Sequence, residues 1–287
     1  MTAPTAARAT TGTARAVSLV AVAAWVLAQI VYSLVEGSAR DTATMVVLCA
    51  GSIAMIVDVI GRRGVGRGVT VIAAVSAIVF AAEVVGTRTG FPFGAYGYAT
   101  DRIGPAVADV PILITAAWFM GAYAVWRVAA HVVPTARAGR VAIGVVGLVS
   151  WDLYLDPQMV AAGLWRWDST DSGLPGMEAI PLTNFAGWAV VGLVVMGVFE
   201  LLDPPDPARG AAPVVPLVWL WWTWAGSAFA QIALLENGAL RSGVAYGIVG
   251  MGVLAVPAIV TVVTSRRRHT PRPTTRTDAP HAAGRRR

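Results

Sequence analysis

The stretch Ser150–Trp167, SWDLYLDPQMVAAGLWRW, sets two aspartates four residues apart in sequence that is otherwise apolar. Four residues is just over one helical turn, so Asp152 and Asp156 share a face of any helix that carries them. Glu83 has a similar setting, VFAAEVVG, and Asp109 follows in GPAVADVP. Carboxyl groups in such places are costly, and they usually face a bundle interior or a water-filled cavity. Acids crowded together away from water do not all ionise readily, so one of this group is expected to keep a proton and serve as a Brønsted acid. Asp152 and Asp156 are the candidates for that acid, with Glu83 and Asp109 as base or supporting partners. The competing reading is structural, with the acids pairing to Arg88, Arg102 or Arg166 and anchoring nearby loops. Pro157 disfavours helical geometry at the residue before it, which predicts that the helix ends near Asp156.

Aromatic side chains gather around the same segments: Trp151, Trp165, Trp167, Trp188, Tyr96 and Tyr98. Two readings fit them. They form the interfacial belt common to membrane proteins, or some of them line a channel for an apolar substrate and stabilise a carbocation through their π faces. Trp151, Trp165 and Tyr96 are the candidates for the second role, while Arg88 and Asn184 are suited to orienting carboxylates or water.

The elements that position these residues are legible as apolar runs. The chain has 287 residues, 56% hydrophobic and 13% charged, against roughly a quarter charged in soluble domains. Runs long enough to cross a hydrocarbon layer of about 30 Å fall near 17–36, 44–61, 69–86, 110–131, 141–156, 184–202, 214–236 and 243–264. This predicts an all-α, polytopic membrane helical bundle of seven to eight transmembrane helices, forming a single domain over 17–264. Residues 1–16 read as a cytoplasmic N-terminal segment before a retained first helix, because the apolar run that follows is longer than a signal-peptide core. Residues 265–287 read as a basic, disordered cytoplasmic tail that rests against anionic lipid headgroups. Gly243, Gly247 and Gly250 suggest a close-packing helix face.

All basic residues other than histidine are arginine. With the N-terminus inside, seventeen arginines fall on the cytoplasmic side and five on the other, so both termini are expected in the cytoplasm of a multi-pass cell-membrane protein. The net charge of +6 is then a topology signal and gives no reason to expect nucleic-acid binding. Most acids fall on the opposite, outer side. There, two Gly-, Pro- and aromatic-rich loops, following the third and fifth spans, could fold over the mouth of the bundle as a lid.

His131, His269 and His281 lack metal-ligand spacing, and Cys49, expected as a small buried hydrophobe, has no partner for a disulfide. Phosphate-cradling glycine motifs are absent as well. Haem, iron–sulfur and structural zinc sites are therefore not expected.

At GTRTGFPFGAYGY (86–98), GPAVADVPILITAAWFM (104–120), SWDLYLDPQMVAAGLWRW (150–167) and IPLTNFAGW (180–188), the chain resembles the carotenoid biosynthesis membrane protein family that includes the CruF-type and bisanhydrobacterioruberin hydratases. The resemblance implies cofactor-independent addition of water to the terminal C=C of an acyclic carotenoid, lycopene-like or a C50 precursor. It also implies membrane lipid and other carotenoid biosynthesis enzymes as surroundings. Protonation gives a tertiary cation and water captures it, which matches the acid and aromatic content read from the residues. Three alternatives remain. Asp152 and Asp156 could hold magnesium diphosphate in an intramembrane prenyltransferase or carotenoid elongase. An end-group cyclase also begins by protonating an alkene. A non-catalytic carotenoid-binding assembly subunit would use the acids as anchors.

Overall fold

The computed structural model describes residues 3–169, 172–205, 212–235 and 238–269. Eight helices follow one another: α1 (Ala3–Leu34), α2 (Gly37–Arg63), α3 (Val65–Thr89), α4 (Ile112–Val132), α5 (Arg137–Ala161), α6 (Leu182–Leu202), α7 (Val214–Ala233) and α8 (Gly238–His269). Seven are long and apolar enough to cross a membrane. The other, α7, carries four tryptophans in 20 residues, which lower its hydropathy while leaving it helical. The protein is a multi-pass, all-α membrane bundle, with helices at the positions the apolar runs predict.

Helix α4 is apolar on every side, as a helix at the centre of a bundle must be, and it packs against α2, α3, α5, α6, α7 and α8. Around it, glycines set close contacts. The small face of α8 lies on α5: a Cβ at Gly247 would sit 2.5 Å from the Tyr154 ring, and one at Gly250 would sit 2.5 Å from Ser150 Oγ. This is the packing face that the glycine spacing predicts.

One expectation needs correction. Helix α5 does not end at Asp156; it continues through Pro157 to Ala161. The proline ring removes one backbone donor and crowds the preceding turn. The carbonyl left without its helical donor is that of Leu153, where Gly243 leaves room beside it and the proline ring, and the next carbonyl, of Tyr154, takes Gln231 Nε2 of α7 at 3.0 Å. Asp152 and Asp156 therefore lie inside the helix, away from its end. Cys49 also departs from expectation, since it is exposed on the outer face of α2. Helix α1 runs unbroken from Ala3, and its membrane-length apolar part begins at Gly12. The tail assignment overlaps α8 as far as His269, and the remainder of that tail, like the 206–211 segment, lies outside the described residues.

The two ends of the bundle differ chemically. At one end, arginines are paired: Arg62 and Arg63 hold the buried Asp203, and Arg140 meets Glu200 at 2.6 Å. Arg140 also donates to the Val133 and Pro134 carbonyls just beyond α4. Arg67 donates to Leu202 at the end of α6. Cations at helix C-termini satisfy carbonyls that the helix cannot. Replacing Asp203 with alanine would remove the carboxylate that two largely buried guanidinium groups share, so Asp203→Ala is expected to destabilise the fold by about 3 kcal/mol. Thermal unfolding of the detergent-solubilised protein checks this as a lowered midpoint with no change in bound-pigment chemistry.

At the other end, the loops after α3 and α5 meet. Strands β1 (Tyr96–Tyr98) and β4 (Trp165–Trp167) pair antiparallel across the two loops. Short hairpins, β2 (Ala106–Val107) with β3 (Val110–Pro111) and β5 (Gly173–Leu174) with β6 (Met177–Pro181), flank them. The β1–β4 register sets Tyr96 opposite Trp167 and Tyr98 opposite Trp165. Since side chains alternate along a strand, these four rings share one face, while Gly97 and Arg166 take the other and are exposed.

Candidate active site

Under that strand pair lies a cavity of about 40 Å³, walled by α2, α3, α4, α5, α6 and the two loops. Its lining is largely apolar and aromatic, including Phe93, Trp118, Trp151, Trp165, Trp167 and Trp188. Its carboxyl groups are Glu83 and Asp156, with Asn184 beside them.

Glu83 is 3% exposed and is held by three donors. Trp118 Nε1 donates to Oε1 at 2.7 Å, Tyr98 donates its hydroxyl to Oε2 at 2.7 Å, and Tyr96 donates to the same oxygen. Each comes from a different direction: Trp118 from α4, the two tyrosines from alternate positions of β1. Burial first, and then the neighbouring Glu83 charge, hold both tyrosine phenols far above their ordinary range, so they remain donors at working pH. Closing the lid strand and holding Glu83 are the same set of bonds.

Opposite stands the aspartate pair. Asp152 is fully buried and Asp156 is 3% exposed. Asn184 Nδ2, from the first turn of α6, donates to Asp152 Oδ2 at 2.8 Å and also to Asp156 Oδ2. Trp165 Nε1 donates to Asp156 Oδ1 at 3.1 Å. Only Asp156 of the pair lines the cavity; Asp152 sits behind it. Among the described residues, no ion pair involves Glu83, Asp152 or Asp156. The anchoring role belongs instead to Asp41, which takes Arg102 at 2.7 and 2.9 Å, while Arg102 also ties the end of α5 through the Ala162 and Gly163 carbonyls.

The structure therefore brings together Glu83, Tyr96, Trp151, Asp152, Asp156, Trp165 and Asn184. It leaves out two of the sequence candidates. Asp109 is exposed at the tip of the β2–β3 hairpin, where Ala108 and Asp109 both have positive φ, 52° and 65°. A two-residue turn of this kind needs such backbone, and aspartate tolerates it. Arg88 is exposed near the end of α3 and does not line the cavity. Trp118 and Phe93 were not singled out by sequence. A tryptophan seven residues into an apolar helix carries no pattern that sets it apart from core.

The aromatic wall is ordered. Trp118 and Trp188 stack with centroids 3.6 Å apart, and Trp151 meets Trp188 edge-on at 5.9 Å. Ring faces in this wall supply π density without a nucleophile that could trap a cation.

Fold and site together define a multi-pass helical membrane protein with buried, cation-free carboxyl groups facing an aromatic cavity. Residues 43–254 match the family model described as Carotenoid biosynthesis protein, and the chain belongs to that family, with a role in carotenoid biosynthesis. The bisanhydrobacterioruberin hydratase of Haloarcula japonica is 30% identical over 122 residues, which is 41% of this chain and 40% of that protein. The match thus spans less than half of the curated relative. No solved structure matches the chain.

Proposed function

We propose that the protein is a carotenoid hydratase that adds water across the terminal C=C of an acyclic carotenoid end group. The observation that carries this reading is a buried aspartate pair with no counter-cation among the described residues, one member of which lines an aromatic cavity together with Glu83. Two full negative charges side by side in such a place would be costly, so the pair holds a proton. Asp156, the member at the cavity wall, delivers it to the less substituted alkene carbon. The positive charge develops on the tertiary carbon, against the rings of Trp151, Trp188 and Trp118. Water adds to that carbon, and Glu83, held by three donors as a carboxylate, takes the proton that the water sheds. The proton then returns to the aspartate pair, so the reaction consumes only water and uses no redox cofactor. The name of the Haloarcula relative supports the reaction class.

Seventeen arginines against five support an orientation with both termini in the cytoplasm and the cavity toward the outer face. The arginine-rich end of the bundle is then cytoplasmic.

Expression in a bacterium that accumulates lycopene or another acyclic carotenoid tests the proposal by chromatography and mass spectrometry. The expected product is heavier than its precursor by one water, or by two if both ends react. A gain of a prenyl unit would replace this reading with the elongase. An isomer of unchanged mass would replace it with the cyclase.

A further inference from the structure

The hydrogen bonds of the aspartate pair say where its proton rests. Asn184 Nδ2 donates to both side chains, so a single amide nitrogen holds one oxygen of each carboxyl within hydrogen-bond reach. Two ionised carboxylates held this close, buried and with no cation among the described residues, would be costly, so one of them is protonated. Three of the four oxygens already accept from groups that can only donate there: Asp156 Oδ1 from Trp165 Nε1, and Asp156 Oδ2 and Asp152 Oδ2 from the Asn184 amide. A proton on any of these would compete with a donor already in place. Asp152 Oδ1 is buried and receives no donor among the described residues. It is the oxygen left to carry hydrogen.

We infer that Asp152 Oδ1 is the resting seat of the shared proton, with Asn184 as the positioning residue that assigns it there and keeps Asp156 a carboxylate at the cavity wall. Asn184 can do this because one amide nitrogen has two hydrogens, one for each aspartate. The consequence for catalysis rests on the hydratase reading. The acid is stored out of reach of the cavity and is passed from Asp152 to Asp156 when needed. The O–H bond of Asp152 breaks as one forms on Asp156, and that second bond breaks as the alkene carbon gains its hydrogen. The pair is then two carboxylates facing a carbocation until the proton shed by the attacking water comes back.

Infrared spectroscopy of the purified protein in lipid nanodiscs, in H₂O and D₂O, reads this directly, because a protonated carboxyl has a C=O stretch that a carboxylate lacks. A protonated-aspartate band is expected in the unsubstituted protein. It is lost in Asp152→Asn and kept in Asp156→Asn. In Asn184→Leu the band shifts or redistributes, an effect that a packing role alone would not produce. Either aspartate variant decides the matter alone if the other does not insert: a band that survives Asp152→Asn, or vanishes in Asp156→Asn, overturns the assignment, as does an unsubstituted protein with no such band. The measurement needs no substrate. A proton found on Asp156 would sink this assignment and leave the hydratase standing, whereas a product other than a hydrate would do the reverse.

Discussion

Asp156→Asn is expected to give a protein that inserts, binds carotenoid and forms essentially no hydrated product. Asparagine keeps the volume of the side chain, and its single oxygen can accept from Trp165 or from Asn184 but not from both, so the structural cost is confined to one hydrogen bond within the site. It cannot deliver a proton. A positioned general acid contributes roughly 10²- to 10⁴-fold to a rate, and protonating an unactivated alkene depends on that step more than most reactions do. The loss should therefore be at least about 100-fold in product formed per unit of membrane protein, read by mass spectrometry of extracted pigment, with unchanged pigment retention. Retention without turnover would separate the acid role from a binding role. Turnover near the unsubstituted level would remove Asp156 from the mechanism.

The second large effect is expected at Glu83. Glu83→Gln exchanges a carboxylate for an amide whose nitrogen is itself a donor. Trp118 reaches Oε1, while Tyr96 and Tyr98 share Oε2. With the amide nitrogen toward Trp118 a donor faces a donor, at a cost of about 1–3 kcal/mol; turned the other way, both tyrosine hydroxyls must stop donating and accept instead, and the charge-assisted bonds to a carboxylate are lost. Two results should follow together. Hydration falls by about 100-fold or more as the base is lost, and the β1–β4 strand pair loosens, because its tyrosines are fastened to the same side chain. Faster proteolysis within 95–100 or 162–168 would report the second. A variant with slow hydration and an undisturbed lid would show that Glu83 acts on water alone; a loosened lid with normal hydration would make it only a clasp.

Helix number and order were readable because long apolar runs are a strong, local signal. The same locality allowed Asp152 and Asp156 to be placed on one face from their spacing alone. Pro157 misled, since the rule for the residue before proline describes an isolated chain and says nothing of Gln231, 74 residues further on, which donates to a carbonyl in the disturbed turn. Asp109 read as a site acid because its sequence neighbours are apolar, yet its backbone serves a tight hairpin and it is exposed and does not line the cavity. Trp118 could not be found in advance: its partner Glu83 lies 35 residues earlier on another helix, and an indole that donates a hydrogen bond looks the same in sequence as one that only fills space. The arginine–carboxylate ties were half legible. The bias in arginine gave one end its charge, but not which acid each cation would take.

The seam between α5 and α8 has a consequence for how this protein can vary. Gly247 and Gly250 leave no room for even a methyl group against Tyr154 and Ser150, and those two residues flank Asp152 in the chain. A side chain added on α8 would push α5 sideways and carry the aspartates with it, although α8 contributes nothing to the cavity wall. Mutational tolerance on α8 should therefore be governed by the geometry of a site it never touches. Laboratory evolution toward bulkier end groups would find its room in the loops over the cavity mouth, where backbone can yield, and would find the glycine seam closed.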